Sequence, residues 1–272
     1  MDLEIVINYE HNQQVVDDLC ESFDELEEQN EKYHLYMNRG SRREMLDRYQ
    51  VSNNHYAIFD GHGSSHVADY LQQNLLQRLQ NGMSDEEYKK GMCLAMSITI
   101  QANTCNLGLL LYYCLFKIKL LQQQTQEIPR LLYSERISFE QLNSIHIPQS
   151  KEEQQRIHKQ GGYDYQSYLC RLITKRQNIC RVSGSLTVTR SFGDFYLKKY
   201  IISEPEIFRY QISEGDRFIV MASDGFWDEL SEQEVLQIIQ KLDQNKNLAK
   251  QLYQAISSDY IRDNVTIMVF PL

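Results

Sequence analysis

Three aspartates stand at the ends of apolar runs. Asp60 follows Tyr56, Ile58 and Phe59 and precedes Gly61; Asp224 follows the run Asp216 to Ala222 and precedes Gly225. Asp263 stands immediately before Asn264 and the closing β-branched run to Phe270. Carboxylates carried at strand ends can converge at the mouth of a sheet, and a neighbouring glycine lets a ligand or a backbone carbonyl approach closely. Hard oxygen donors of this kind, completed by water, suit Mg²⁺ or Mn²⁺. Two such ions about 3.5–4 Å apart can clamp a phosphate and ionise the water between them. Each Asp-Gly taken alone is foremost a turn signal; the repeated context is what points to a metal centre.

These carboxylates need elements to carry them. Gln50 to Phe59 alternates toward an apolar end and reads as a strand that delivers Asp60 to a Gly-rich turn. Behind it, Val67, Tyr70, Leu71, Leu75 and Leu79 recur at helical spacing. Asp216 to Ala222 is a nearly continuous apolar run, suited to a buried strand that ends at Ser223-Asp224-Gly225. Ser231 with Glu234 three positions on predicts a capping box, with Val235, Ile238 and Ile239 on the buried face of the helix that follows. Asn264 to Phe270 reads as the last strand, and Gly184 to Thr189 as a short one. Ser150 to Gln160 predicts a charged helix stopped by Gly161-Gly162, and residues 84 to 101 another, capped by Ser84 with Glu87. In residues 104 to 136 an apolar run meets a glutamine-rich patch that reads as a loop. Near the start, Val15, Leu19, Phe23 and Leu26 form one stripe opposite an acidic face, which predicts a solvated helix over residues 13 to 32.

Composition narrows the function classes. The chain has 272 residues, 42% of them apolar, with a net charge of −9 and no internal repeat or Pro/Gly/Ser-rich linker. The acidic balance argues against nucleic-acid binding, which needs clustered Lys and Arg. None of the six cysteines forms a C-x-x-C pair, so a zinc ribbon is excluded. The opening MDLEIVINYE has no secretory h-region, so a cytoplasmic or nuclear protein with reduced thiols is expected. The longest apolar stretch, Leu107 to Leu121, is interrupted by Lys117 and Lys119 and falls short of the roughly 20 residues a membrane helix needs, so no membrane association is expected.

Four segments in order resemble the PPM family, the PP2C-type protein phosphatases. Gly40 through Asp47 is similar to G-x-R-x-x-M-E-D, and Ala57 through Gly63 to V-x-D-G-H-G-G. Gly184 through Asp194 is similar to G-x-L-x-V-S-R-x-x-G-D. Ala222 through Asp228, with Asp263 through Thr266, is similar to A-S-D-G-x-W-D and D-N-x-T. The resemblance spans about residues 36 to 270. It implies an α+β fold, a four-layer α-β-β-α sandwich with two antiparallel sheets. It also implies a metal-dependent protein serine/threonine phosphatase that hydrolyses phosphoserine and phosphothreonine through a hydroxide activated by two Mg²⁺ or Mn²⁺ ions. Asp60 would bridge the ions, the Gly61 carbonyl, Asp224 and Asp263 would bind them, and Asp47 would hold a water of the metal centre. Arg42 would grip the phosphate, which suits its planar fork, and His62 would be the general acid. Arg190 and Asp194 are expected to form an ion pair that supports the site, and Trp227 to pack in the core.

The match departs from the family in two places. Leu46 stands where the resemblance expects a carboxylate that orients metal-bound water. Between Lys90 and His146 the expected G-S-T-A and G-D-S-R are both missing, so Asp228 lacks the partner with which it would form a third, weaker metal site. These departures leave an alternative: a pseudophosphatase acting as a regulatory or scaffolding protein. The expected organisation is an acidic helical extension over residues 1–35 and a PP2C-like domain over residues 36–272, a monomer acting on phosphoprotein substrates.

Overall fold

Pairing overrides helical spacing at the start of the described chain. In the computed structural model the described residues are 23–52, 55–78, 84, 86–87, 89–90, 108–110, 116–120, 137–160, 180–182, 185–207, 210–212 and 216–272. The helix expected over residues 13–32 lies outside them as far as residue 22. Beyond that it is corrected: Glu25–Gln29 is a strand, β1, whose residues alternate between exposed and half-buried. It pairs antiparallel with β2 (His34–Asn38), register Glu27↔Tyr36. The acidic side chains tolerate the strand because they find partners. Lys250 Nζ bonds Glu25 at 3.0 Å and Glu27 at 2.7 Å, and Glu28 accepts from the Tyr33 hydroxyl at 2.7 Å.

The strand expected over 50–59 is two strands. β3 (Arg48–Ser52) and β4 (His55–His62) pair antiparallel, with Ser52 opposite His55. β4 also runs further than its apolar residues suggest. β5 (Gly108–Leu110) pairs with Asp60, Gly61 and His62, so Asp60 lies inside the strand and the turn begins at Gly63, φ 76°. The remaining strands are β6 (Phe116–Leu120), β7 (Ile137–Gln141), β8 (Phe192–Gly193), β9 (Asp216–Ala222) and β10 (Val265–Pro271). They complete two antiparallel sheets, ordered β1-β2-β10-β9-β6-β7 and β3-β4-β5-β8. The last two strands run as the sequence predicts. Gly184 lies outside the described residues, and 185–189 form no strand: Leu186 makes one isolated bridge to Val182.

Helices cover these sheets. α1 (His66–Asn74) follows the β4 turn, and a 3-10 turn at Leu76–Arg78 ends it before the predicted Leu79, which lies outside the described residues. α2 (Lys151–Lys159) matches its prediction, although Gly161-Gly162 lie outside the described residues. α3 (Asp224–Trp227) is a single turn, α4 is Glu232–Ile239 and α5 is Leu248–Gln254. Ser231 and Glu234 form the predicted capping box on α4. Of the helix expected over 84–101, residues 86–87 and 89–90 are helical and 91–101 lie outside the described residues. The bulk of 104–136 also lies outside, apart from β5 and β6.

Alternation along the strands sorts three of the packing zones found among the described residues. Val220, Ala222, Ile267 and Val269 meet Val235, Ile239, Leu248 and Leu252 of α4 and α5. Leu35, Met37, Met221 and Met268 of the six-stranded sheet meet Ile58 of the four-stranded one. Ala57 and Phe59 face Val67, Leu71 and Leu75 of α1. β4 therefore buries alternate residues on both faces, which is why Asp60 is carried into the interior. Trp227 is partly buried, stacks edge-on to Phe226 and donates Nε1 to the Ala222 carbonyl at 3.2 Å. No helix among the described residues is long and apolar enough to cross a membrane.

Candidate active site

Asp60 is 8% exposed and Asp47 is 1% exposed. Asp224 is the first residue of α3, delivered by β9, and Asp263 enters β10, the neighbouring strand. The sheets thus bring together Asp47, Asp60, Asp224 and Asp263. Burial, then the charges of Asp47 and Asp224, push the Asp60 carboxyl well above the usual carboxylate range. Burial carries Asp47 up to about 7 against the hydrogen bonds that oppose it. Burial and the charges of Asp263 and Asp228 carry Asp224 up to about 6. Asp228, exposed on the next turn, is also raised, by desolvation and by Asp263.

The motif D-N-x-T has a physical explanation here. Asn264 accepts the Leu46 amide at 2.8 Å and donates to the carbonyls of Arg39 at 2.8 Å and Glu44 at 3.0 Å, so it pins the loop that carries Arg42. Thr266 donates its hydroxyl to Asp47 at 2.7 Å, and its amide bonds the Ser223 hydroxyl at 3.0 Å. Sequence reading placed these residues in a motif without seeing that they anchor the loop. The backbones are pressed together: a Cβ on Gly225 would meet the Asn264 carbonyl oxygen at 2.0 Å, and one on Gly61 the Leu46 carbonyl oxygen at 2.4 Å. Only glycine allows those approaches.

Arg42 engages Asp263 through both ends of its fork, Nε at 2.9 Å and Nη2 at 2.5 Å, with its side chain 55% exposed. That contact, followed by the charges of Asp224 and Asp60, raises its already high pKa. Among the described residues no group of three His, Cys, Asp or Glu side chains is arranged to hold one ion. Asp60 Oδ2 is nevertheless buried without a hydrogen-bond partner among the described residues. A buried, unpaired carboxylate oxygen amid further carboxylates is a poor arrangement for a protein on its own. The donor set therefore fits a cation bound by oxygen.

The expected Arg190–Asp194 pair is corrected. Arg190 bonds Glu153 of α2 through Nη2 at 2.8 Å and Nε at 3.2 Å, while Asp194 faces His62 Nε2 at 3.1 and 3.2 Å. The reason is local geometry: Gly193 (φ 74°) and Asp194 (φ 45°) are both left-handed, which turns Asp194 away from the side on which Arg190 meets α2. Glu153 gave no signal in sequence, since one more acid on a charged helix resembles a solvated face.

A family model described as protein phosphatase 2C matches residues 128–265, just over half of the chain. The chain belongs to the protein phosphatase 2C family. This family member is 29% identical over 229 residues to "Probable protein phosphatase 2C 2" of Arabidopsis thaliana, covering 78% of this chain and 58% of that protein. It is 28% identical over 289 residues to "Probable protein phosphatase 2C 25" of the same plant, covering 91% of this chain and 66% of that protein. The chain thus spans less than two thirds of the length of these curated relatives. Its fold is similar to that of a serine-threonine phosphatase 2C from Toxoplasma gondii, TM-score 0.61 at 16% identity, covering 91% of this chain and 99% of that one. It is also similar to a C. elegans sex determining protein, TM-score 0.65 at 18% identity, covering 90% and 65%. At such identities the two structures speak for the protein phosphatase 2C fold alone: mixed helix and antiparallel sheet, as expected from sequence.

Proposed function

We propose that the chain is a metal-dependent protein serine/threonine phosphatase that hydrolyses phosphoserine and phosphothreonine in phosphoproteins. The observation that carries this reading is the buried carboxylate cluster around Asp60, whose charges raise one another's pKa and in which Asp60 Oδ2 has no hydrogen-bond partner among the described residues. Asp60, the Gly61 carbonyl, Asp224 and Asp263 would hold Mg²⁺ or Mn²⁺, with Asp47 and Asp228 orienting the surrounding waters. Such ions supply charge neutralisation for the phosphate and a water that ionises near neutral pH.

The chain's own residues do the rest. Arg42 contacts both oxygens of Asp263; released when Asp263 turns to a cation, the same fork would match two oxygens of a phosphate. His62 follows Gly61 directly in β4 and would give a proton to the departing serine or threonine oxygen. Burial of Asp60 and Asp47 keeps water from screening these charges.

Phosphate release from a phosphothreonine peptide tests the reading. The chain should turn over with Mn²⁺ and stop in EDTA, and Asp224→Ala should lower turnover by about 100-fold or more, beyond the loss typical of groups that only support ligands. Absence of Mn²⁺-dependent turnover in the intact chain would sink it.

Leu46 favours a second reading, the pseudophosphatase used as a scaffold. It is half-buried between Met45 and Asp47 and offers no oxygen beyond its backbone, where the resemblance expects a carboxylate. If the chain is an enzyme, Leu46→Glu should lower the Mn²⁺ needed for half-maximal activity by about 10–100-fold. A titration of activity against Mn²⁺ reads this, and an unchanged requirement would refute this account of Leu46.

A further inference from the structure

A cavity of about 720 Å³ shares no lining residue with the carboxylate cluster. One wall comes from Glu86, Glu87, Lys89 and Lys90, the other from Lys198 and residues 201–204. The second wall is held by backbone: the Ile202 amide donates to the Thr189 carbonyl at 3.2 Å, and the Ile202 carbonyl accepts the Ser191 amide at 2.9 Å. Lys89 ties the walls together, with Nζ 3.3 Å from Glu204 and 3.9 Å from Glu86. The volume is that of a small-molecule site. Its carboxylates are already engaged. Glu86 and Glu204 share Lys89, and Glu87 Oε2 accepts both the amide and the hydroxyl of Ser84 at 2.7 Å. Lys90 and Lys198, by contrast, meet no carboxylate within 4.0 Å among the described residues. Lys198 Nζ gives one hydrogen to the Ser191 carbonyl at 2.6 Å, which leaves two to offer. Burial lowers its pKa to about 8, the charge of Asp194 opposing in part. A cation withdrawn from water without a counter-ion beside it is stabilised when an anion supplies one.

We propose that this cavity is a binding site for a small organic anion, a molecule with one acidic head group on an apolar body. Lys198 and Lys90 take the head group, the Ser203 hydroxyl lines the same space, and Ile202 supplies apolar surface for the body. A neutral ligand would leave both ammonium groups without a counter-charge. A polyanion such as a nucleic acid would meet Glu86, Glu87 and Glu204 around the same opening. The site goes beyond the phosphatase reading and uses no residue of the metal centre.

Naphthalenesulfonate and its neutral counterpart naphthalenesulfonamide test this directly, by calorimetric titration of the full chain in EDTA at neutral pH. The sulfonate should bind about 10-fold or more tighter than the sulfonamide, the difference expected of a hydrogen-bonded charge. Lys198→Met should weaken sulfonate binding by about 10-fold or more and leave the sulfonamide nearly unaffected. Lys90→Met changes an exposed side chain, so it keeps the test open if Lys198→Met folds poorly; it should weaken the sulfonate by a smaller factor. Lys199→Met, outside the cavity, should change nothing, and neither should Arg42→Ala, which separates this site from the phosphate position beside Asp263. Brief acetylation followed by peptide mass spectrometry locates the site in the unaltered chain: the sulfonate should protect Lys198 and Lys90 and leave Lys199 open. No measurable binding of the sulfonate, equal affinity for the two compounds, loss of binding in Arg42→Ala, or acetylation of Lys198 unchanged by the sulfonate would each overturn the proposal. None of these readouts depends on turnover, so a failure of the phosphatase reading leaves the test intact.

Discussion

Asp60→Asn should make the protein more heat-stable in EDTA while abolishing its response to Mn²⁺. In the absence of a cation, Asp60 is a buried carboxylate facing Asp47 and Asp224, with no partner for Oδ2 among the described residues. An unsatisfied buried polar group costs about 1–3 kcal/mol, more when charged. Asparagine keeps the volume and removes the repulsion. For a chain of this size the gain corresponds to a rise of about 3–8 °C in Tm. Mn²⁺ at 100 times its dissociation constant should stabilise the wild type by about 2.7 kcal/mol, and should stabilise the Asp60→Asn variant little. Phosphate release should fall by about 100-fold or more, as for Asp224→Ala. Calorimetry at pH 8, with and without Mn²⁺, reads the stability half of this prediction without any activity. A variant that melts lower than wild type in EDTA, or that keeps the Mn²⁺ shift, would show that the cluster is satisfied by the protein alone.

Glu153→Gln should have the largest effect on stability. Its side chain is 3% exposed and clamped on both oxygens, by Arg190 Nη2 at 2.8 Å and by Arg156 Nη2 at 2.6 Å. The two arginines carry the connection onward, Arg156 to the carbonyls of Tyr200 and Thr189 at 2.8 and 3.0 Å, and Arg190 to that of Glu204 at 3.0 Å. One carboxylate therefore ties α2 to the segment that ends in Asp194. Removing one partner of such a group costs about 3–5 kcal/mol, because the arginines are left half-buried without their counter-charge. Tm should fall by about 10 °C.

The pH dependence follows from the same contacts. Burial alone would raise the Glu153 carboxyl, but hydrogen bonds from Arg156 and Arg190 outweigh it and bring it down to about 2, against a usual 4.5. A carboxylate depressed in the folded state contributes stability that is fully present above the unfolded value. That contribution is lost as pH falls from about 4.5 toward 2, and amounts to about 3 kcal/mol by linkage. His146 Nδ1 lies 3.8 Å from the same carboxylate, but burial and Arg190 lower its pKa, so it gains charge only in acid. The stability gap between wild type and Glu153→Gln should be widest above pH 5 and should close as pH approaches 2. Urea unfolding across that range measures it, and a gap independent of pH would refute the assignment.

Much of the architecture around the site is legible in local pattern. The β9 run, the capping box at Ser231 and the closing strand each depend on neighbours within a few residues, so their periodicity and caps survive into the structure unchanged. Asp60, Asp224 and Asp263 could be picked out as candidates for the same reason: each sits beside a small or turn-forming residue at or near an apolar strand. Other features depend on groups far away in sequence. Glu25 to Gln29 carries enough acid to suggest a solvated helix, yet it forms a strand because β2 offers backbone partners and Lys250, 225 residues from Glu25, neutralises the edge. The β3–β4 boundary was hidden because alternation continues from one strand into the other. The extension of β4 through His62 was hidden because the pairing with β5 is made by backbone, which has no residue code.

The sequence by itself determined the candidate chemistry: acidic oxygen donors beside glycines, one arginine fork, one histidine, and a spacing similar to that of the protein phosphatase 2C family. Only the tertiary structure decided which charges face one another. Arg190 and Asp194 are four residues apart and of opposite sign, and sequence proximity pairs them. Two consecutive left-handed residues turn them apart, Arg190 toward Glu153 and Asp194 toward His62, 132 residues away. Type and spacing state what a side chain can do, whereas backbone torsions and long-range packing choose the partner with which it does it.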